Sequence, residues 1–234
     1  MNEVEMHHNE KKTSIDKSDS KQLIGFEFMK NTLDIKYSYN FSWLGRPIIQ
    51  YPQDMIAMQE IIWTVKPDLI VETGIAHGGS LIFSASILAM LEFCGEIEKG
   101  TVLGIDIDIR EHNKKAILEH PMSKKISMIE GSSIDEHIIK QVYSAASKAK
   151  RILVCLDSNH THEHVLAELK AYSPLVSNDS YCVVFDTIIE DMPEGSFPDR
   201  PWDKGNNTKT AVWEFLKDND DFVIDKEIEN KLQI

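Results

Sequence analysis

Cysteine is scarce in this 234-residue chain: there are three, Cys94, Cys155 and Cys182. Residues so few and so widely spaced supply neither a disulfide framework nor a zinc ribbon. Cys155 and Cys182 fall inside apolar runs, where a free thiol behaves as a small hydrophobe, and a reducing, cytoplasmic setting is the expectation. No apolar run approaches the roughly 18 residues of a membrane-spanning helix. The first residues, MNEVEMHHNEKKTSIDKSDSK, lack the apolar segment of a signal peptide. They also lack periodicity, so residues 1–20 are expected to be a disordered tail and 21–234 a single domain. Positive charge is in deficit: 25 Lys and Arg stand against 38 Asp and Glu, a net charge of −13. With no basic block to offset it, that balance argues against binding a phosphate backbone, and hence against nucleic acid as a partner. A small-molecule or carbohydrate partner fits better.

What the chain does have is a regular alternation of short apolar runs and helical spacings. Met55, Met58, Ile62 and Val65 recur at a helical period, and Lys66-Pro67 ends that segment. Apolar runs then appear at Leu69–Val71, Val102–Ile105, Ile126–Ile129, Arg151–Leu156 and Tyr181–Phe185. Helical patterns near 79–93, 111–119, 135–149, 162–173 and 207–217 separate them. Apolar strands alternating with helices define βαβ units, an α/β protein with a parallel sheet covered on both faces. Glu72, Asp106, Asp157 and Asp186 each fall at the carboxyl end of a predicted strand. An acid ending one strand is ordinary, because aspartate also starts turns and caps helices. Four on the edge where open α/β sheets bind ligands point to a site.

The loop after the first of these strands, Glu72-Thr73-Gly74-Ile75-Ala76-His77-Gly78-Gly79-Ser80, lacks two things. No Lys-Ser or Lys-Thr closes it, which excludes a Walker phosphate loop. Ala76 stands where a dinucleotide fingerprint has its middle glycine, which disfavours a close pyrophosphate. S-adenosylmethionine (SAM) has no phosphate and needs only a tight turn, and Asp106 at the next strand end can accept bonds from its ribose hydroxyls. The plainer reading is that these glycines serve tight strand–helix packing alone.

The stretch DSNHTHEH, Asp157 to His164, follows the fourth strand. Asp157 and Asp186 end strands expected to be neighbours, so their carboxylates can converge on Mg²⁺, a hard cation that seldom demands an all-protein cage. His160 lies three residues after Asp157, and histidine as a residue type titrates near neutrality, as a general base should. A zinc cage fits less well, since on a helix only His160 and His164 would share a face and no cysteine is near. His162 and His164 are expected on a solvated helix start, and a metal is expected to touch Asp157 and none of the histidines.

In order along the chain stand Trp43-Leu44-Gly45-Arg46-Pro47, Tyr51-Pro52-Gln53-Asp54, Glu72-Thr73-Gly74, Gly78-Gly79-Ser80, Gly104-Ile105-Asp106-Ile107-Asp108, Glu130-Gly131-Ser132-Ser133, Asp157-Ser158-Asn159-His160, and Arg200-Pro201-Trp202 with Gly205-Asn206-Asn207. With these motifs, over roughly residues 40–230, the sequence resembles the cephalosporin-hydroxylase-like family, which contains class I SAM-dependent O-methyltransferases. The resemblance implies a Rossmann-like, mostly parallel twisted sheet of seven strands with helices on both faces, SAM as methyl donor, and Mg²⁺. It implies that Glu72, Gly74 and Ser80 border the methionine part of SAM, that Asp106 holds the ribose, and that Ser133 lies beside the adenine. Asp157, counted also among the cofactor-binding residues, and Asp186 would hold the metal. His160 occupies the position of the lysine base of catechol-type methyltransferases, and the Pro-Trp segment would form a lid. The chain departs from the family pattern at Phe185, where a glutamate is common, and at Thr187, where catechol-type enzymes have asparagine. Glu190, Asp191 or water are the candidates for a third ligand. Relatives usually continue into a closing antiparallel hairpin, which this chain does not show before Ile234, and an uncovered sheet edge would suit a homo-oligomer. The expected activity is Mg²⁺-assisted methylation of a hydroxyl on a sugar or secondary metabolite. The competing readings are an NAD-dependent oxidoreductase on the same fold and a non-catalytic nucleotide- or sugar-binding subunit.

Overall fold

The computed structural model describes residues 19–33 and 35–232. Helix α1 (Asp19–Leu33) is followed by a hairpin of β1 (Phe41–Trp43) and β2 (Arg46–Ile48), then α2 (Pro52–Val65) and β3 (Leu69–Thr73). The chain continues through α3 (Gly79–Phe93), β4 (Thr101–Asp106), α4 (Glu111–Leu118), β5 (Ile126–Glu130), α5 (Glu136–Ala146), β6 (Ile152–Leu156) and α6 (His162–Tyr172). It ends with β7 (Cys182–Val184), α7 (Thr208–Phe215) and α8 (Lys226–Leu232). Residues Lys36–Ile224 form one compact unit, and α1 and α8 belong to a second. Reading 21–234 as one domain does not distinguish the two. Of the expected disordered tail, residues 1–18 lie outside the described residues, and 19 and 20 begin α1.

The main sheet is parallel throughout, in the order β5-β4-β3-β6-β7. The order reverses between β3 and β6, the two strands buried along their whole length. Their sequences, LIVET and ILVCL, are the near-continuous runs expected of strands covered on both faces. On one face Val71, Leu103, Ile105, Val154 and Leu156 pack against Ile138 and Val142 of α5, Val165, Leu169 and Tyr172 of α6, and Phe215 of α7. On the other, α3 packs on β4 and against α2. Proline at the first position of α2 suits a helix start, because its fixed φ is helical and its missing N–H has no partner there to lose. Lys66 turns left-handed at the other end, and Pro67 cannot continue the helix.

Two features differ from expectation. The resemblance implies seven strands, whereas the described main sheet has five. After β7 the chain enters a 3-10 turn, Thr187–Asp191, and Lys217-Asp218-Asn219-Asp220-Asp221 carries no alternating apolar pattern from which to build a returning strand. The β1–β2 hairpin was not visible in the sequence. Its two-residue turn is Leu44-Gly45, with both φ values positive (46° and 85°), where Asn-Gly is the usual signal. No described helix is long and apolar enough to cross a membrane.

Candidate active site

Position in the sheet brings the predicted acids together. Thr73 pairs with Ile105 of β4 and with Leu156 of β6, so Gly74, Asp106 and Asp157 leave the sheet side by side. Gly74 has φ +90°, and a Cβ there would lie 2.0 Å from the carbonyl oxygen of Asp157. The strand ends meet this closely only because that side chain is missing. Gly79 is equally constrained: its Cβ would lie 2.2 Å from the Pro47 carbonyl oxygen, which seats the β1–β2 hairpin against the start of α3. Two adjoining clefts open at this edge and share Ile48, Gln50, Ser80 and Asp157 in their walls.

The loop between Gly74 and Gly78 is held from both sides. Asp106 Oδ2 accepts the amides of Ile75 (2.8 Å) and Ala76 (3.2 Å), and its Oδ1 accepts the Asp108 amide at 3.1 Å. On the opposite side Asn113 Nδ2 donates to the Ala76 carbonyl at 2.9 Å, and Arg46 Nε to the His77 carbonyl at 3.1 Å. Arg46 also donates to Asn113 Oδ1 at 3.1 Å, which joins the two supports. Ala76 sits at φ +44°, a costly conformation for a residue with a Cβ, and this clamp maintains it. Arg46→Ala should therefore speed hydrogen exchange of the loop amides by about tenfold or more, one lost charged hydrogen bond being worth roughly 1.5–3 kcal/mol. Exchange mass spectrometry of residues 74–79 measures this, and unchanged protection would show that Asn113 holds the loop alone.

Glu72 is 4% exposed and accepts a hydrogen bond from the Ser80 hydroxyl. Burial raises its pKa from 4.5 to about 7, against the opposing pull of that hydrogen bond. A raised carboxyl pKa favours the protonated fold, so this contribution to stability is complete below pH 4.5 and is lost as the pH rises to about 7. Ligand-free protein should accordingly lose stability across that window, and Glu72→Gln should flatten the loss. Denaturant midpoints at pH 4.5, 6 and 8 test this, and an identical slope in both proteins would remove Glu72 as a cause.

Beyond Glu72 lies a cluster of ligand-capable groups. One ligand atom each from Asp157, His160 and Asp186 lies within 4.8 Å of the others. His160 Nε2 is 3.3 Å from Asp186 Oδ2, and Gln50 Nε2 donates to Asp157 Oδ2 at 3.0 Å. Asp186 holds its carboxylate at this rim from a left-handed backbone (φ 56°), which aspartate tolerates better than most residues. Burial raises the Asp157 carboxyl well above the usual range, and the charges of Asp186, Glu72 and Asp54 raise it further. Asp54, in the first turn of α2, is likewise raised to about 7 by burial and by Asp186. Carboxylates this close repel one another unless they share a proton or a cation, and oxygen donors converging in this way fit a divalent ion.

His160 is flanked by the Arg200-Pro201-Trp202 segment. Its ring meets Trp202 edge-on at 4.6 Å, and the Arg200 guanidinium lies over Trp202 at 5.2 Å. Its Nδ1 is buried with no hydrogen-bond partner among the described residues. Glu190 accepts from the Gly205 amide (2.7 Å) and from Asn207 Nδ2 (2.6 Å), while Asp191 pairs with Lys209 at 2.6 Å. Both acids considered for a third ligand are thus engaged with Gly205, Asn207 and Lys209, and the group that reaches the two aspartates is His160.

The remaining histidines of DSNHTHEH depart from expectation. His162 and His164 are not on a solvated face: their side chains are 27% and 19% exposed. His162 bonds Thr210 at 2.8 Å and Glu214 at 3.1 Å because α7 packs on that side of α6. His164 faces inward to Ser133, Ser158 and Glu168. Ser133 is buried, with its hydroxyl donated to Glu168 Oε1 at 2.6 Å. Gln50, Arg46, Asn113 and Glu168 had no role assigned from the sequence. Each acts through a partner 31 or more positions away, and of the four only Arg46 stands in one of the motifs that carry the resemblance.

The strand order, the glycine turn after β3 and the acids ending β3, β4, β6 and β7 define a class I, Rossmann-like methyltransferase fold. Within it, the chain belongs to the rhamnosyl O-methyltransferase/CmcI family, whose model matches residues 35–234. It is 33% identical over 141 residues to the rhamnosyl O-methyltransferase of Mycobacterium tuberculosis, covering 60% of this chain and 54% of that protein. To the Mycobacterium leprae protein of the same name it is 30% identical over 153 residues, covering 65% and 62%. The chain thus spans about half the length of the first of these relatives. Among solved structures, an O-methyltransferase from Bacillus cereus in complex with SAH matches 88% of this chain and 80% of its own, at 13% identity and a TM-score of 0.50.

Proposed function

We propose that this chain is a SAM-dependent, Mg²⁺-assisted O-methyltransferase that acts on a sugar hydroxyl, with a rhamnosyl group as the first acceptor to test. The observation that carries the reading is the convergence of Asp157, His160 and Asp186 beside the cleft bounded by Gly74 and Ser80. Glu72, Gly74 and Ser80 would border the methionine part of SAM, where a buried carboxyl that regains its charge beside an ammonium group is well matched. Asp106 would accept from the ribose through the capacity its three amide bonds leave free. Asp157 and Asp186 would hold the metal. When bound, Mg²⁺ supplies a Lewis acid that lowers the pKa of a hydroxyl and fixes its orientation.

His160 Nε2 faces the two aspartates and would take the acceptor's proton as its oxygen attacks the methyl carbon. The C–O bond forms as the C–S bond breaks, and the sulfonium leaves as a neutral thioether. The residues supply orientation and a proton acceptor, the two contributions this transfer needs. Trp202 would keep water from the imidazole. Three free cysteines suit a cytoplasmic setting.

Calorimetric titration with SAM and with NAD, each with and without Mg²⁺, tests the reading, followed by mass detection of a 14-Da gain on rhamnosides. SAM binding strengthened by Mg²⁺ and a methylated product is the expected result. Binding of NAD in place of SAM would overturn it. SAM binding without transfer to any glycoside would favour a non-catalytic subunit.

A further inference from the structure

One buried polar cluster takes no part in the chemistry above. Glu168, on α6, is fully buried, and its Oε1 accepts from the hydroxyls of Ser133 (2.6 Å) and Ser158 (2.7 Å). His164, one turn earlier, places Nε2 at 3.1 Å from Ser133 Oγ, 3.2 Å from Ser158 Oγ and 3.4 Å from Glu168 Oε1. Glu168 Oε2 has no hydrogen-bond partner among the described residues. Tyr172, a further turn along, donates its hydroxyl to the Ser133 carbonyl.

A carboxylate at this position is a poor choice for stability. Its helix neighbours Val165, Leu169 and Tyr172 are core residues, and a leucine at 168 would continue their face. Buried ion pairs are often no better than an apolar replacement of similar size. The cluster is better explained by what it joins. Ser133 belongs to the loop after β5, and Ser158 follows Asp157 and precedes His160 by two residues. In the sheet β5 and β6 are separated by β4 and β3, so no backbone ladder connects their ends. Glu168 and His164 bridge that gap through two hydroxyls on one carboxylate oxygen.

We propose that Glu168 and His164 are positioning residues that tie the loop on the adenine side of the cofactor cleft to the loop carrying Asp157 and His160, so that each side's geometry depends on the other. This rests on the methyltransferase reading. Neither residue lines the two clefts, and both act through Ser133 and Ser158. The tie predicts effects that cross from one loop to the other. Ser158→Ala, on the metal side, should weaken SAM binding by about fivefold or more, and Ser133→Ala, on the adenine side, should lower kcat at saturating SAM by a similar factor. Glu168→Leu should combine both losses, to about tenfold in each, while keeping its thermal midpoint within a few degrees of wild type. Glu168→Gln retains an oxygen that can accept both hydroxyls and should recover kcat and SAM affinity to within about threefold of wild type.

The measurements are SAM affinity by calorimetry, kcat at saturating SAM, and thermal unfolding. If Glu168→Leu fails to fold, the two serine variants alone decide the matter. Serine variants that each affect only their own side overturn the tie, as does a Glu168→Gln protein as damaged as Glu168→Leu. A wild type that binds no SAM overturns the methyltransferase reading, and this proposal with it.

Discussion

His160→Ala is expected to lower methyl transfer by about 10²- to 10⁴-fold, the range a positioned general base contributes, while SAM affinity stays within about threefold. The acceptor hydroxyl must lose its proton as it attacks, and His160 is the imidazole at the rim of the acidic cluster. Its Nε2 lies 3.3 Å from Asp186 and its Nδ1 is shut away from water. The ring is confined by Trp202 at 4.6 Å, so the loss would reflect a missing base in an otherwise ordered site. The same variant separates two roles. A base contributes little to Mg²⁺ affinity, whereas a third ligand beside Asp157 and Asp186 contributes much. Mg²⁺ titration of His160→Ala should therefore give an affinity within about threefold of wild type. A large loss of Mg²⁺ affinity would make His160 a ligand, and full turnover would end its candidacy as base.

Gly74→Ala is expected to be the most damaging alanine substitution among the glycines from Gly45 to Gly205, since Gly79 shares its close approach to backbone but not its positive φ. Two costs add. At φ +90° any Cβ is strained, by about 1 kcal/mol or more. Beyond that, the new methyl would lie 2.0 Å from the Asp157 carbonyl oxygen and 2.6 Å from its carbonyl carbon, both backbone atoms of a buried strand end that cannot swing aside. Relief would require β3 and β6 to part at the point where the cleft meets the cluster of Asp157, His160 and Asp186. A stability loss above about 4 kcal/mol follows, the range reserved for strain combined with overpacking. Gly45→Ala is the internal control. It has nearly the same φ, +85°, with nothing within 4 Å of its Cβ, so only the strain should appear. Urea unfolding of the two variants gives the difference directly. Equal losses would show that the strand ends yield more readily than their packing indicates.

The α/β class and the strand edge were legible because they rest on local rules. A strand buried on both faces must be apolar from end to end, and a loop that turns back into a helix must be short and glycine-rich. ILVCL satisfies the first rule throughout and LIVET as far as Val71, where Glu72 and Thr73 begin the strand edge, and the Gly74–Gly79 loop satisfies the second. The acids Glu72, Asp106, Asp157 and Asp186 followed from the same reading, since any residue just after a strand shares an edge with every other such residue. The β1–β2 hairpin escaped because Leu44 turns left-handed without a residue type that announces it. His164 escaped for a different reason. On α6 it looks like part of a polar helix start, and only the arrival of the loops after β5 and β6 encloses it. Glu190 and Asp191 were credible ligands from the sequence, and only the structure shows them bonded to Asn207 and Lys209.

The division follows the range of the forces. Hydrophobic periodicity, glycine's freedom at positive φ and the placing of acids after strands act over a few residues, so the sequence by itself determined the class of fold, the strand edge that carries the acids and the residues that could meet there. Which of them do meet was decided by the tertiary structure. Gln50 on Asp157, Arg46 on the glycine loop, His160 against Asp186, and Glu168 between Ser133 and Ser158 depend on where elements far apart in the chain come to rest. A side chain's reach is a few ångströms, and only packing brings such partners within it.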